Sequence, residues 1–249
     1  MHKVKKINIK IMMRLKLITP ILLVLVYTTA IMLIGSYVKN TKFFNLSTNT
    51  FINFQANYQL LLLLVALVSV ASTYFLNPAN FANYFAWGNI SAPTQAVKYF
   101  GIKASDGWLK TGIWLSIFIS LATAFFMYGA LKQQNLGYTQ LYEGIIWILL
   151  FSFTNSFAEE MIFRLGIVSP LKNLISPFTI FAISAVLFGL PHLAGMPSGI
   201  IGAMMAGILG FILAKSMYET NGFFWAWFIH FLQDIIIFGA MYLMDNNSN

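Results

Sequence analysis

The sequence contains no cysteine, and few of its residues carry a charge. Without cysteine the chain forms no disulfide, no thiolate metal site and no cysteine nucleophile. Only 9% of its 249 residues are charged, whereas a soluble domain carries about a quarter. Hydrophobic residues make up 59% of the chain. This composition predicts an integral membrane protein rather than a soluble domain.

Acidic residues are also scarce, and the basic residues are concentrated at the N-terminus. There are seven acidic and fifteen basic residues, and the first sixteen positions contain six of the latter: Lys3, Lys5, Lys6, Lys10, Arg14 and Lys16. An apolar run follows at about 17–38 without an A-x-A cleavage site, which indicates an uncleaved membrane anchor. We therefore interpret 1–16 as a basic cytoplasmic arm on the anionic lipid surface, and we expect no nucleic-acid partner.

Long apolar runs predict an all-α fold, a polytopic transmembrane helix bundle of about seven to eight spans. A helix needs about 20 mostly apolar residues to cross the hydrocarbon. Seven stretches qualify, at about 17–38, 58–76, 112–131, 143–163, 174–191, 198–217 and 222–243. Residues 77–111 combine aromatic residues with Asn, Pro and Gly, which predicts an interfacial segment or a re-entrant hairpin and leaves an eighth crossing open. The chain then divides into N-terminal membrane helices at 17–142 and a C-terminal helical core at 143–243.

The distribution of Lys and Arg predicts the orientation of these spans. With the N-terminus in the cytoplasm, the inner segments hold twelve basic residues and the outer segments hold three, as the positive-inside rule requires. The chain is therefore expected to be a multi-pass cell-membrane protein with a cytoplasmic N-terminus. Four acidic residues fall at span ends or in loops and are expected to be solvated: Asp106, Glu143, Glu219 and Asp245.

The stretch SFAEEMIFRLG places two glutamates and an arginine at the edge of the fourth span. Residues four apart share a helix face, so Glu160 and Arg164 are expected to pair and to neutralise each other. Glu159 is turned away by about 100° and has no such partner. Asn155, one turn back, can hydrogen-bond its carboxylate, and Phe163 can desolvate it and make it a stronger base. A charged helix end at the lipid headgroups is the alternative interpretation.

Two later spans also contain ionisable residues. LFGLPHLAG places Phe188 and His192 four apart beside a proline, and WFIHFLQD places His230 and Asp234 four apart on the last span. Taken alone, each pattern is also typical of a packing histidine or of a pair that joins helices. Ionisable groups inside a membrane need partners within the bundle. Three spans with such groups therefore predict one polar site that contains Glu159, His192, His230 and Asp234.

Two kinds of hydrolytic chemistry suit this set of side chains. A carboxylate and imidazoles can activate a water molecule directly. The same four residues, Glu159, His192, His230 and Asp234, can instead hold a divalent metal such as zinc with a water in the open position. The sequence contains no H-E-x-x-H motif and no G-x-S-x-G elbow. Only one aspartate lies within a span, which excludes a two-aspartate intramembrane protease.

The three motifs together resemble the CPBP family of CAAX prenyl endopeptidases and bacteriocin-processing proteins, also called the Abi family. The motifs EEMIFR, FGLPH and HFLQD follow the family order E-E-x-x-x-R, F-x-x-x-H and H-x-x-x-N/D, and the resemblance covers roughly 143–240. It implies an intramembrane glutamate-type endopeptidase. Three motifs in this order on successive spans are far more specific than any one of them.

The resemblance also implies a role for each residue of the motifs. Glu159 corresponds to the glutamate that activates water, and His192 corresponds to its partner on that water. His230 and the residue at position 234 stabilise the oxyanion. Glu160 and Arg164 hold the site together, in agreement with the helix-face argument. We also expect Phe188, in the second motif, and Asn155, on the face of Glu159, to support the site.

Position 234 departs in part from the family pattern, because many members have asparagine there. An amide can donate to an oxyanion, whereas an ionised carboxylate repels it. Asp234 is therefore expected to be protonated, to orient His230, or to ligate a metal, and the sequence leaves these three roles open.

The expected function is cleavage of a peptide or a membrane-tethered protein near the cytoplasmic face, in peptide or bacteriocin maturation or in self-immunity. A non-enzymatic immunity or scaffold protein that binds a bacteriocin or a sensor partner is the alternative. An ion or proton transporter also uses intramembrane Glu and His, but no internal repeat accompanies them here. The sequence names neither the substrate nor the oligomeric state.

Overall fold

The architecture comes from a computed structural model that describes residues 2–41, 43–132, 140–196 and 198–246. The described residues form helices and connecting segments, with one isolated bridge between Val97 and Ile102. The α-helices in chain order are α1 (His2–Asn40), α2 (Thr50–Leu76), α3 (Pro78–Tyr84), α4 (Gly107–Leu131), α5 (Gln140–Glu159), α6 (Gly166–Leu171), α7 (Pro177–Gly189), α8 (Gly199–Thr220) and α9 (Phe224–Asn246). The predicted all-α bundle is confirmed.

Six helical segments of the described chain are long and apolar enough to cross a membrane: Ile9–Asn40, Thr50–Leu76, Gly107–Leu131, Gln140–Leu171, Gly199–Thr220 and Phe224–Asp245. The seventh predicted span, at about 174–191, is present as a shorter apolar helix, Pro177–Leu193. The predicted bundle of about seven to eight spans is broadly consistent with these helices. Helix α1 begins at His2 and continues through the basic arm without interruption.

The two ends of the bundle differ, and we name them by the basic arm. The arm end contains the start of α1 and the ends of α2, α6 and α8. The far end contains the ends of α1, α4 and α9. The packing pairs agree with this arrangement: α5 runs antiparallel to α9 and α7 antiparallel to α8, whereas α2 and α5 run in the same direction, as do α4 and α9.

Residues 77–111 form α3, a 3₁₀ turn at Lys98–Phe100 and connecting loops, rather than an eighth long helix. The loop after α3 pairs with the turn between α8 and α9, since Phe223 N donates to Ala86 O at 2.9 Å and Asn89 N donates to Thr220 O at 2.7 Å. Gly88 has a φ of +77°, and a Cβ there would lie 2.7 Å from Gly222 Cα. Only glycine permits this conformation and this close backbone contact.

The same part of the arm end contains a buried ion pair. Lys215 bonds Glu219, and their side chains are 2% and 6% exposed. Trp108 Nε1 donates to Glu219 Oε2 at 2.8 Å. The expectation that Glu219 is solvated is therefore wrong, because a tryptophan distant in sequence covers it. Asp245 also has partners, since it accepts a 2.7 Å hydrogen bond from Thr50 Oγ1 and so joins the far ends of α2 and α9.

A lysine just beyond α6 adds a second polar contact at the arm end. Lys172 Nζ donates to Tyr84 Oη at 2.6 Å and lies 3.6 Å from the centroid of the Tyr218 ring. Burial lowers the pKa of Lys172 and raises the pKa of Tyr84. This contact holds α3 against the end of α6.

Candidate active site

The EEMIFR motif continues from the end of α5 into a π-helix, Glu160–Leu165, and all six residues of the π-helix are buried. Single π-helical turns inside α-helices are rare and occur frequently at functional sites. The sequence interpretation assumed a regular α-helix, and no sequence signal distinguishes the two. The predicted pair is nevertheless present: Arg164 Nε lies 3.1 Å from Glu160 Oε2, and both side chains are fully buried.

Phe188 supports this pair from α7. The guanidinium carbon of Arg164 lies 3.8 Å from the centroid of the Phe188 ring, which is a close cation–π contact. None of the described residues accepts a hydrogen bond of good geometry from the guanidinium nitrogens. Arg164 is therefore held by the charge of Glu160 and by stacking on Phe188.

Glu160 has a second partner that the sequence interpretation missed. His230 Nδ1 lies 2.7 Å from Glu160 Oε1, so this ring nitrogen donates to the carboxylate. His230 Nε2 lies 3.6 Å from both Glu159 Oε2 and Asp234 Oδ1, which is too long for a hydrogen bond. The ring is thus anchored through one nitrogen and presents the other between two carboxylates.

Two side-chain amides connect Asp234 to α2 through hydrogen bonds. Asn155 Nδ2 donates to Asp234 Oδ2 at 3.1 Å, and Gln59 Nε2 donates to Asn155 Oδ1 at 3.2 Å. Asn155 was expected to hydrogen-bond Glu159, but in the structure it hydrogen-bonds Asp234. Gln59 was not predicted at all, because α2 contains none of the three motifs.

His192 follows α7 in a 3₁₀ turn, Leu190–Leu193. Its Nδ1 lies 2.8 Å from the carbonyl oxygen of Phe188. A carbonyl only accepts, so Nδ1 carries the proton and Nε2 of the neutral ring keeps a lone pair. The Phe188 ring lies between the two imidazoles, with centroid distances of 4.9 Å to His192 and 5.5 Å to His230.

The four predicted catalytic residues open onto one cavity of about 690 Å³. Glu159, His192, His230 and Asp234 all line it, together with mainly apolar residues of α1, α2, α4, α8 and α9. The side chain of Glu159 is 16% exposed, whereas that of Glu160 is completely buried. The adjacent glutamates therefore occupy different environments, one facing the cavity and one behind it.

The donors do not fit a metal centre in this arrangement. A zinc site needs at least three protein donors at about 2 Å from the ion. Within the described parts of the chain, no group of three or more His, Asp or Glu side chains is arranged to hold a metal ion. The predicted metal ligands Glu159, His192, His230 and Asp234 share the cavity without forming such a group.

Comparison with known proteins finds a family match for part of the chain. Residues 140–236 match the family model for type II CAAX prenyl endopeptidase Rce1-like proteins. The match contains all three motifs, whereas α1 to α4 lie outside it. No curated protein and no solved structure matches the chain.

Proposed function

Residues 140–236 belong to the type II CAAX prenyl endopeptidase Rce1-like family, and from this we propose that the multi-pass membrane protein is an intramembrane endopeptidase. The observation that supports the proposal best is the convergence of Glu159, His192, His230 and Asp234 on one cavity. These side chains come from three separate helical segments, so their convergence is not a consequence of local sequence. A carboxylate and two imidazoles around a cavity suit hydrolysis of a peptide bond.

In this proposal Glu159 is the general base. Its carboxylate faces the cavity and lies 3.6 Å from the nearest ring nitrogen, so it is free to accept a proton from water. His192 Nε2 keeps its lone pair because Nδ1 donates to Phe188 O. It can accept the other proton of the same water in a hydrogen bond and so orient the nucleophile.

The attacking oxygen then forms a bond to the scissile carbonyl carbon, and the carbonyl π electrons move to its oxygen. The Nε2–H group of a protonated His230 donates to this oxyanion. Glu160 accepts from Nδ1 of the same ring and stabilises the imidazolium, as the carboxylate of a catalytic triad does. Glu160 is thus a positioning residue behind His230.

The tetrahedral intermediate collapses when the carbon–nitrogen bond breaks. Glu159 returns the proton that it took from water to the leaving nitrogen, so that a carboxylic acid and an amine are formed and Glu159 is regenerated. Asp234 lies 3.6 Å from His230 Nε2 and favours the protonated ring. Asn155 holds Asp234 through Oδ2, which keeps this carboxylate on the His230 side of the cavity.

The position of the site supports cleavage within the cytoplasmic half of the bilayer. His230 lies six residues after Phe224, the first residue of α9, or about 9 Å from the arm end. With a cytoplasmic N-terminus, as the positive-inside rule favours, that end faces the cytoplasm. The substrate we propose is a peptide or a membrane-tethered protein, processed in peptide or bacteriocin maturation or in self-immunity.

Mass spectrometry of new peptide termini tests this proposal in cells that express the full chain. We expect new termini with the wild-type protein and their loss, by about 100-fold or more, with Glu159→Gln, since positioned acid–base groups contribute about 10²–10⁴ in rate. His192→Ala and His230→Ala are expected to behave alike. Glu143→Gln is the matched control, because Glu143 does not line the cavity. If the wild type and Glu159→Gln produced equal amounts of new termini, the result would instead favour the non-enzymatic scaffold.

A further inference from the structure

A buried amide oxygen without a hydrogen-bond partner lies in the wall of the same cavity. Gln55, on α2, is 3% exposed and lines the cavity with Glu159. Its Oε1 accepts no hydrogen bond from any residue that the structure describes. Because an unpaired buried acceptor is unfavourable, it indicates a site for a donor that is not part of the protein.

The place of Gln55 links it to the candidate active site. It lies one turn before Gln59 on α2, in the direction of the far end, which is a rise of about 6 Å. Gln59 donates to Asn155, and Asn155 donates to Asp234. The free amide oxygen therefore lies in the cavity wall on the far-end side of this chain of hydrogen bonds.

The cavity also reaches Lys39 near the end of α1, and no other Lys or Arg lines it in the described chain. The positions of Lys39 and Glu159 along the bundle axis can be compared through one contact. A Cβ on Gly166 would lie 3.3 Å from Val24 Cγ2, so Gly166 and Val24 lie at the same height along that axis. Lys39 is fifteen residues beyond Val24 toward the far end, and Glu159 is seven residues from Gly166 in the same direction. The difference of eight residues puts Lys39 about 12 Å beyond Glu159.

An extended peptide can span the distance from Glu159 to Lys39. An extended chain advances about 3.3 Å per residue, so about 12 Å corresponds to three or four residues. Its backbone N–H groups pass Gln55, and a negative group at its end reaches Lys39. A carboxylate is the anionic group that a peptide supplies.

We propose that Gln55 and Lys39 form a substrate-positioning subsite on the far-end side of the scissile bond. Gln55 accepts a hydrogen bond from the substrate backbone, and Lys39 binds a substrate carboxylate three or four residues from the cleaved bond. The carboxylate belongs either to an acidic side chain or to a free C-terminus. The subsite rests on the proposed peptidase function, and both residues lie in the part of the chain that the family match does not cover.

The test uses the purified full chain and a peptide library from a digested proteome, prepared once with free and once with amidated C-termini. Mass spectrometry of the cleaved bonds is expected to show enrichment of a carboxylate at the third or fourth position on one side. Lys39→Glu is expected to lower kcat/KM for those peptides about tenfold, as for a lost charged contact, and to favour Lys or Arg there instead. Loss of cleavage on amidation identifies a C-terminal carboxylate, and retention identifies an acidic side chain.

Gln55→Leu is expected to raise KM for all peptides without changing the positional preference, whereas Gln55→Glu, which keeps an acceptor, is expected to restore KM. Lys132→Glu is the matched control, because it reverses a far-end charge that does not line the cavity. Unchanged preference in Lys39→Glu, or an equal effect of Lys132→Glu, overturns the subsite while the peptidase stands. Absence of any cleavage that depends on Glu159 overturns the peptidase and the subsite with it.

Discussion

His230 Nδ1 lies 2.7 Å from Glu160 Oε1, on the carboxylate that also neutralises Arg164. Glu160 therefore has two roles: it compensates the charge of the fully buried Arg164 guanidinium, and it orients the His230 ring that faces the cavity. The two tasks are separable by mutation, because the first concerns stability and the second concerns only the orientation and charge of an imidazole.

Glu160→Gln is expected to destabilise the protein by about 3–5 kcal/mol, because it leaves the buried charge of Arg164 without its partner. The double variant Glu160→Leu with Arg164→Met is expected to recover most of that stability, since replacement of both charges by apolar groups is often neutral. It remains inactive, because His230 lacks its carboxylate. Thermal unfolding in detergent, with parallel rate measurements, checks both statements. An active double variant would contradict the positioning role of Glu160.

Asp234→Asn is expected to retain cleavage activity and to lower kcat, because the protonated form of His230 loses one of its nearby carboxylates. The amide can still accept from Asn155. Asp234→Ala is the companion variant and is expected to be slower than both, because it leaves Asn155 without its acceptor. Initial rates on one peptide identified by the library experiment decide the order. If Asp234→Asn is inactive, the negative charge itself is required.

Treatment with a zinc chelator is expected to leave the activity of the wild type and of Asp234→Asn unchanged. The reason is that the described residues contain no group of three donors arranged for a metal. The measurement is activity after dialysis against the chelator, followed by addition of zinc. If the wild type lost its activity with the chelator and recovered it with zinc, the mechanism would be metal-dependent.

Gly88→Ala is expected to destabilise the arm end, because the added Cβ would lie 2.6 Å from Thr220 O and φ is positive. Gly129→Ala is the matched control, since nothing lies within 4 Å of a Cβ at that position and alanine favours the helix by about 0.5–1 kcal/mol. Unfolding temperatures of the two variants are compared with the wild type. Equal temperatures would mean that the contact between the two loops is not tight in solution.

The sequence predicted the helices well because their signal is local. The fourth span was predicted at about 143–163 and the helix runs over Gln140–Leu171, since the apolar run itself defines it. The link from Glu160 to His230 was missed because it joins positions 70 residues apart. Gln59 and Trp108 were missed for the same reason. Gln59 bonds Asn155, which bonds Asp234, and Trp108 bonds Glu219, so the partners lie on other helices. No motif includes Gln59 or Trp108. The π-helical turn has no known local signature.

The chain of bonds from Gln59 through Asn155 to Asp234 has a consequence for biosynthesis. The two ends of that chain are 175 residues apart, as the separations of 96 and 79 residues add up. At about 5–20 residues per second, roughly 10–35 seconds pass between synthesis of the first and the last of these residues. Until α9 is synthesised, α2 and α5 lack His230 and Asp234, and the proposed site is incomplete. The proposed catalytic site is therefore complete only after α9, which is synthesised after α2 and α5, has been added.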